Sequence, residues 1–263
     1  MRKYWVLTKV AWENGLVYRA SILMWRFRQF LSTIMALTLW TVIFGATESA
    51  FAYNQQEMIT YIFLAAFLQS AIIATALNNL ANIVYSGELS QFLIKPMNVY
   101  GYFATQEIAD KLKNVGFLVI ETSLLFLIFQ PVIFLPGLNN FLLFLVWMMG
   151  GIILNFLITL LFGAFGFWSP DTWGPRFLFF MIINITAGKL FPLNILPELL
   201  QKIIFMTPFP YFAFMQTQLF LDKLNPQELL THTLTLLAWI VFFGWLVKYI
   251  WGRGLKSYDA AGQ

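Results

Sequence analysis

No Asp, Glu, Lys or Arg interrupts the chain between Arg28 and Glu48, and none occurs from Met58 to Tyr85. An α-helix rises ~1.5 Å per residue, so about 20 such residues cross the hydrocarbon core of a bilayer. The pattern recurs over about Asn114–Leu135, where Glu121 is the one acid, and over about Phe141–Trp168, Phe177–Gly188 and Glu228–Tyr249. Charged residues make up only 11% of the chain and apolar residues 60%. That is too little charge to cover a water-facing surface, because soluble domains carry about 25%. The fold class expected is an all-α membrane protein with six transmembrane helices.

The flanks of these runs predict orientation. If the N-terminus is cytoplasmic, thirteen of the sixteen Lys and Arg residues fall on the cytoplasmic side. Only Lys189, Lys202 and Lys223 fall outside, which is the asymmetry of the positive-inside rule. Both termini are then cytoplasmic, and the expected location is a bacterial inner membrane. Residues 1–28 alternate Trp5, Trp12, Tyr18 and Trp25 with Lys9, Arg19, Arg26 and Arg28. This predicts an amphipathic helix lying in the cytoplasmic interface. The same residues lack the compact apolar core and cleavage site of a secretory signal.

Residues 189–225 are apolar yet carry Pro192, Pro197, Pro208 and Pro210. Proline breaks helix interiors. The segment is therefore expected as two re-entrant helices, about 195–206 and 210–221, between spans 5 and 6. The whole of 1–263 is expected as one transmembrane domain, with 86–113 as its cytoplasmic connection.

Most catalytic chemistry is excluded by residue type. There is no Cys, and His232 is the only histidine, expected as a structural hydrogen-bonding residue. Neither HExxH, GxSxG nor a Walker A loop occurs, so the chain itself is expected to hold no metal, cofactor or ATP. The basic residues sit at span ends rather than on a soluble patch, so no nucleic-acid partner is expected.

Ala66, Ser70, Ala74, Asn78 and Asn82 recur every four residues, which would place them on one face of a continuous second span. Two readings fit: helix packing within the subunit, or a subunit interface or pathway wall. Glu121 in span 3 is a functional candidate by depth, or a structural partner of a base such as Arg28. Asn155 and Asn184 are weaker versions of the same argument. After span 2, Gly87 can break the helix, and Glu88–Ile94 can form a short helix that Lys95-Pro96 ends. Such a helix suits docking into a partner's groove, or lies at the interface without one.

Several segments resemble one family. Tyr18-Arg19-Ala20-Ser21 precedes span 1, and Ser86 to Pro96 carries the pattern GELSQFLIKP. Gly188-Lys189-Leu190-Phe191-Pro192-Leu193 with Leu196-Pro197, then Pro208-Phe209-Pro210-Tyr211, marks the break after span 5. Arg253-Gly254-Leu255-Lys256-Ser257-Tyr258 closes the chain's helical part. In order and spacing these are similar to permease subunits of ABC type-2 transporters, in the branch of bacterial six-span exporters. Lys189 departs from the pattern, standing where an apolar or small residue is more usual.

The resemblance implies a permease that pairs with a second permease, as homodimer or heterodimer, and with separate ABC ATPase subunits that hold ATP and Mg. It also implies that Gly87, Glu88, Leu89, Phe92, Lys95 and Pro96 form the coupling helix. A transporter or channel working without ATP would need ionisable residues along its path, and Glu121 is the only strong candidate. A lipid-modifying enzyme would need convergent acids and bases that the chain lacks.

Overall fold

The computed structural model describes residues 2–47, 49–169 and 173–258. Met1, Glu48, part of the loop expected after span 4 (170–172) and the end of the tail (259–263) lie outside the described residues. Helix α1 (Arg2–Gly15) turns at 16–18 into α2 (Arg19–Ala46). The expected interfacial segment thus ends earlier than Arg28, and residues 19–28 belong to the first long helix. A two-residue hairpin, β1 (Ser49–Ala50) and β2 (Tyr53–Asn54), leads into α3 (Gln55–Leu68). Asn54 starts α3 by a capping box. Its side chain accepts from the Glu57 amide at 2.8 Å, and Glu57 accepts from the Asn54 amide at 2.9 Å.

The second span departs most from expectation. After α3 the backbone widens into a π-turn (Gln69–Ile73) and leaves helical geometry at Ala74, whose ψ is 138°. It resumes only at α4 (Leu80–Tyr85). Helix α5 (Ser90–Leu93) follows, then α6 (Val99–Phe129), α7 (Leu138–Ala164) and α8 (Trp173–Thr186). Helices α9 (Glu198–Phe205), α10 (Phe214–Phe220) and α11 (Pro226–Gly254) complete the chain.

Among the described residues, five helical segments are long and apolar enough to cross a membrane: α2, α3 with its π-turn, α6, α7 with its last turn, and α11. The expected fifth span, about Phe177–Gly188, falls largely on α8, whose 14 residues rise about 21 Å. The proline-rich stretch after it folds as expected into short helices. Every residue of α10 is buried, as backbone irregularity at membrane depth requires. The amide of Phe214 reaches back to the Ala187 carbonyl at 2.9 Å. His232 has the structural role expected of it, with Nδ1 3.0 Å from the Tyr211 hydroxyl.

The two ends of the bundle differ. At one end the hairpin meets the proline-rich segment: Asn194 donates to the Phe51 carbonyl, and Lys223 pairs with Glu57 at 2.9 Å. At the other end, called here the basic end, α4, the start of α6 and the ends of α7 and α11 share a smaller apolar core. It is built on Leu80, Val84, Leu89, Phe103, Leu160 and Trp251. Helix α1 runs along the lower part of α6. A β-carbon on Gly166 would overlap the Ala81 carbonyl, so α4 lies directly on the backbone that follows α7. Gly166→Ala is expected to cost about 3 kcal/mol, at the upper end for overpacking, because the obstacle is backbone. Gly252→Ala, with open space around it, is expected to be neutral. Unfolding titrations in mixed micelles of sodium dodecyl sulfate compare the two.

Candidate functional site

The break in the second span leaves backbone groups without helical partners, and α6 supplies them. Lys111 Nζ donates to the carbonyls of Ile72 and Ala74, both at 2.8 Å. One turn earlier on α6, Glu107 Oε1 accepts from the Thr75 hydroxyl and from the amides of Ala76 (3.1 Å) and Leu77 (3.3 Å). The two side chains are 3% and 7% exposed and lie 3.5 Å apart. Unpaired backbone groups are costly away from water, and this pair answers both the donors and the acceptors of the break. The i,i+4 spacing of Glu107 and Lys111 lies in plain sight in the sequence. What it patches does not, because the break occurs within a run that reads as one helix.

The break also corrects the small-residue stripe. Ala66 and Ser70 precede it, Ala74 and Asn78 lie in it, and Asn82 is on α4, so the five do not share one helix face. Ser70, Ala74 and Asn78 instead line a half-open cavity of about 740 Å³ between α2, the break, α6, α7 and α8. That volume suits a drug-sized ligand. Glu121 stands behind its wall and takes Arg26, not Arg28, in a two-pronged pair at 2.6 and 2.8 Å. Arg26 also reaches Ser70 at 3.4 Å. Ala66 lies further along, in a second cavity of about 60 Å³ with Lys189; Gln29 lines both cavities. Asn184 accepts from Lys189 Nζ at 2.7 Å. Asn82 lines neither cavity.

At the basic end, α4 stops at Gly87, whose φ of 83° is the left-handed conformation that glycine adopts without strain. The chain turns there, and the Leu89 amide returns to the Ile83 carbonyl at 3.1 Å. Leu89 is fully buried in the smaller core, so it anchors the segment from inside. Phe92 is half-buried and stacks on Tyr102, with ring centroids 4.6 Å apart, and Lys95 Nζ lies 5.0 Å from the centroid of its ring. Glu88, Gln91, Leu93, Ile94, Lys95 and Pro96 are exposed, Ile94 at 84%. Lys3 on α1 braces this turn by donating to the Pro96 carbonyl at 3.0 Å, and the Tyr258 hydroxyl lies near the Leu89 and Ser90 amides without a hydrogen bond of its own among the described residues. Burial pushes the Tyr258 phenol above its ordinary pKa, so it stays protonated.

A family profile described as ABC-2 family transporter protein matches residues 30–262. The chain belongs to the ABC-2 transporter family. No curated protein matches it. As an ABC-2 protein, it is the permease subunit of an ABC transporter, a membrane transport component, and the family implies association with an ABC ATPase subunit. The match spans the broken span, the turn at Gly87, the proline-rich segment and the lining of both cavities apart from residues 21–29.

Proposed function

We propose that this ABC-2 permease works as a dimer in a bacterial inner membrane, exports its substrate, and receives the ATPase stroke through residues 87–96. The observation that carries the reading is the braced turn. Its short helix presents a row of exposed side chains, while Gly87, Leu89 and Phe92 fix it to the bundle from within. An exposed apolar edge on a rigid mount suits insertion into a partner's groove. The distribution of Lys and Arg supports placing this end in the cytoplasm. The turn joins α4 and the broken span beyond it, so a push at Ile94 is delivered next to the cavity rather than along a stiff rod.

The test is purification of the tagged chain from its own membrane in mild detergent. The expected complex holds an ABC ATPase in equal amount and two permease chains. A chain recovered alone, even after mild cross-linking, would favour a transporter that works without ATP.

A further inference from the structure

We propose that the larger cavity binds an amphiphile with an anionic head group, and that Arg28 and Arg176 receive that head. The inference rests on the permease reading above and names the substrate class. Four cations line the cavity: Arg26, Arg28, Lys113 and Arg176. Two are already matched, Arg26 by Glu121 behind the wall and Lys113 by Asp110 at 2.7 Å. The other two have no carboxylate against them among the described residues. Arg28 lies over the Trp25 ring at 4.7 Å, and Arg176 donates to the Asn78 side-chain oxygen. A cation at the edge of the hydrocarbon core is costly unless an opposite charge or water meets it. Among the described residues, the cavity therefore holds two arginines with no carboxylate partner.

A second observation points the same way. Asn155 lines the cavity at 3% exposure, and its Nδ2 has no hydrogen-bond partner among the described residues. It adds a buried donor to the two guanidinium groups that have no carboxylate against them among the described residues, and all three suit an acceptor-rich anion. Part of the remaining wall is aromatic, with Phe162, Phe177, Phe179 and Phe180. Phe177 and Phe180 line the cavity and are exposed, so an acyl chain could run over them from the cavity toward lipid. A cationic ligand would find rings for its charge but two arginines opposing it.

The test loads the purified chain into phosphatidylcholine nanodiscs and measures retention above empty discs for three probes. These are dodecyl phosphate, dodecyltrimethylammonium with the same tail, and inorganic phosphate with no tail. Dodecyl phosphate is expected to bind saturably. Arg28→Gln and Arg176→Gln should each weaken it at least tenfold, while Arg28→Lys should largely restore it and Lys9→Gln, on α1, should leave it unchanged. Arg176 is partly buried, so each variant's unfolding midpoint is checked. Arg28→Gln, at an exposed site, carries the test if Arg176→Gln loosens the fold. Equal or tighter binding of dodecyltrimethylammonium would overturn the proposal. Inorganic phosphate binding as well as dodecyl phosphate, or Gln variants that bind normally, would also overturn it. The assay needs no ATPase, so its failure leaves the permease reading standing, and failure to recover an ATPase leaves a positive binding result standing.

Discussion

Lys111→Met is expected to lower the stability of the folded chain by about 3–5 kcal/mol, the usual cost of removing one member of a buried ion pair. The lost ammonium group leaves the Ile72 and Ala74 carbonyls unpaired and Glu107 without its counter-charge. Glu107→Gln should cost less, because a side-chain amide oxygen can still accept from the Ala76 and Leu77 amides. The double variant is expected to be less destabilised than the sum of the two singles, since no uncompensated charge remains. Lys9→Met, which breaks an exposed 3.9 Å pair with Glu13, should be indistinguishable from the parent. Unfolding titrations in mixed micelles measure all four. Strict additivity would mean that Glu107 and Lys111 do not act as a unit at the break.

The second large effect is expected at the braced turn. Glu88→Arg combined with Ile94→Asp should reduce recovery of the ATPase with the tagged chain at least tenfold, equivalent to about 1.4 kcal/mol of binding. Both side chains are exposed, so the helix content and unfolding midpoint should not change. Leu89→Asp is a different perturbation. It would place a carboxylate in the core formed with Val84, Phe103 and Trp251, and should destabilise the chain itself. Loss of ATPase recovery in the first variant without loss of fold separates docking from packing. Undiminished recovery would remove these residues from the ATPase contact.

Much of the fold was legible because charge is scarce. Three long uncharged runs correspond to α2, α7 and α11, a run with Glu121 as its one charge corresponds to the upper part of α6, and four prolines mark where the chain after α8 is broken. The helix starts were legible too: Asn54 with Glu57, and Asn225 with Glu228, are the spacing of a capping box. The break at Ala74 was not. Residues 69–79 contain neither proline nor glycine, so local propensity favours continuing the helix. The groups that satisfy the broken backbone, Glu107 and Lys111, lie thirty or more residues away, and only tertiary structure brings them to the break. The turn at Gly87 followed from glycine and the later Lys95-Pro96. Which side of it faces inward did not, because Leu89 and Ile94 are equally apolar and only the packing tells them apart. Likewise Glu121 was legible as an acid in need of a partner, while the choice of Arg26 over Arg28 depends on how α2 rotates against α6.

The natural chain has no cysteine, so single cysteines report contacts without background. The most direct test of coupling through residues 87–96 is cross-linking of Ile94→Cys and Leu89→Cys variants, in native membranes, with a short thiol-to-amine reagent. Ile94→Cys is expected to give a cross-linked product with the ABC ATPase whose yield changes when ATP is trapped. The buried Leu89→Cys should give none. Cross-linking of Ile94→Cys only to lipid-facing neighbours or to other membrane chains, with the ATPase bound elsewhere, would contradict the account.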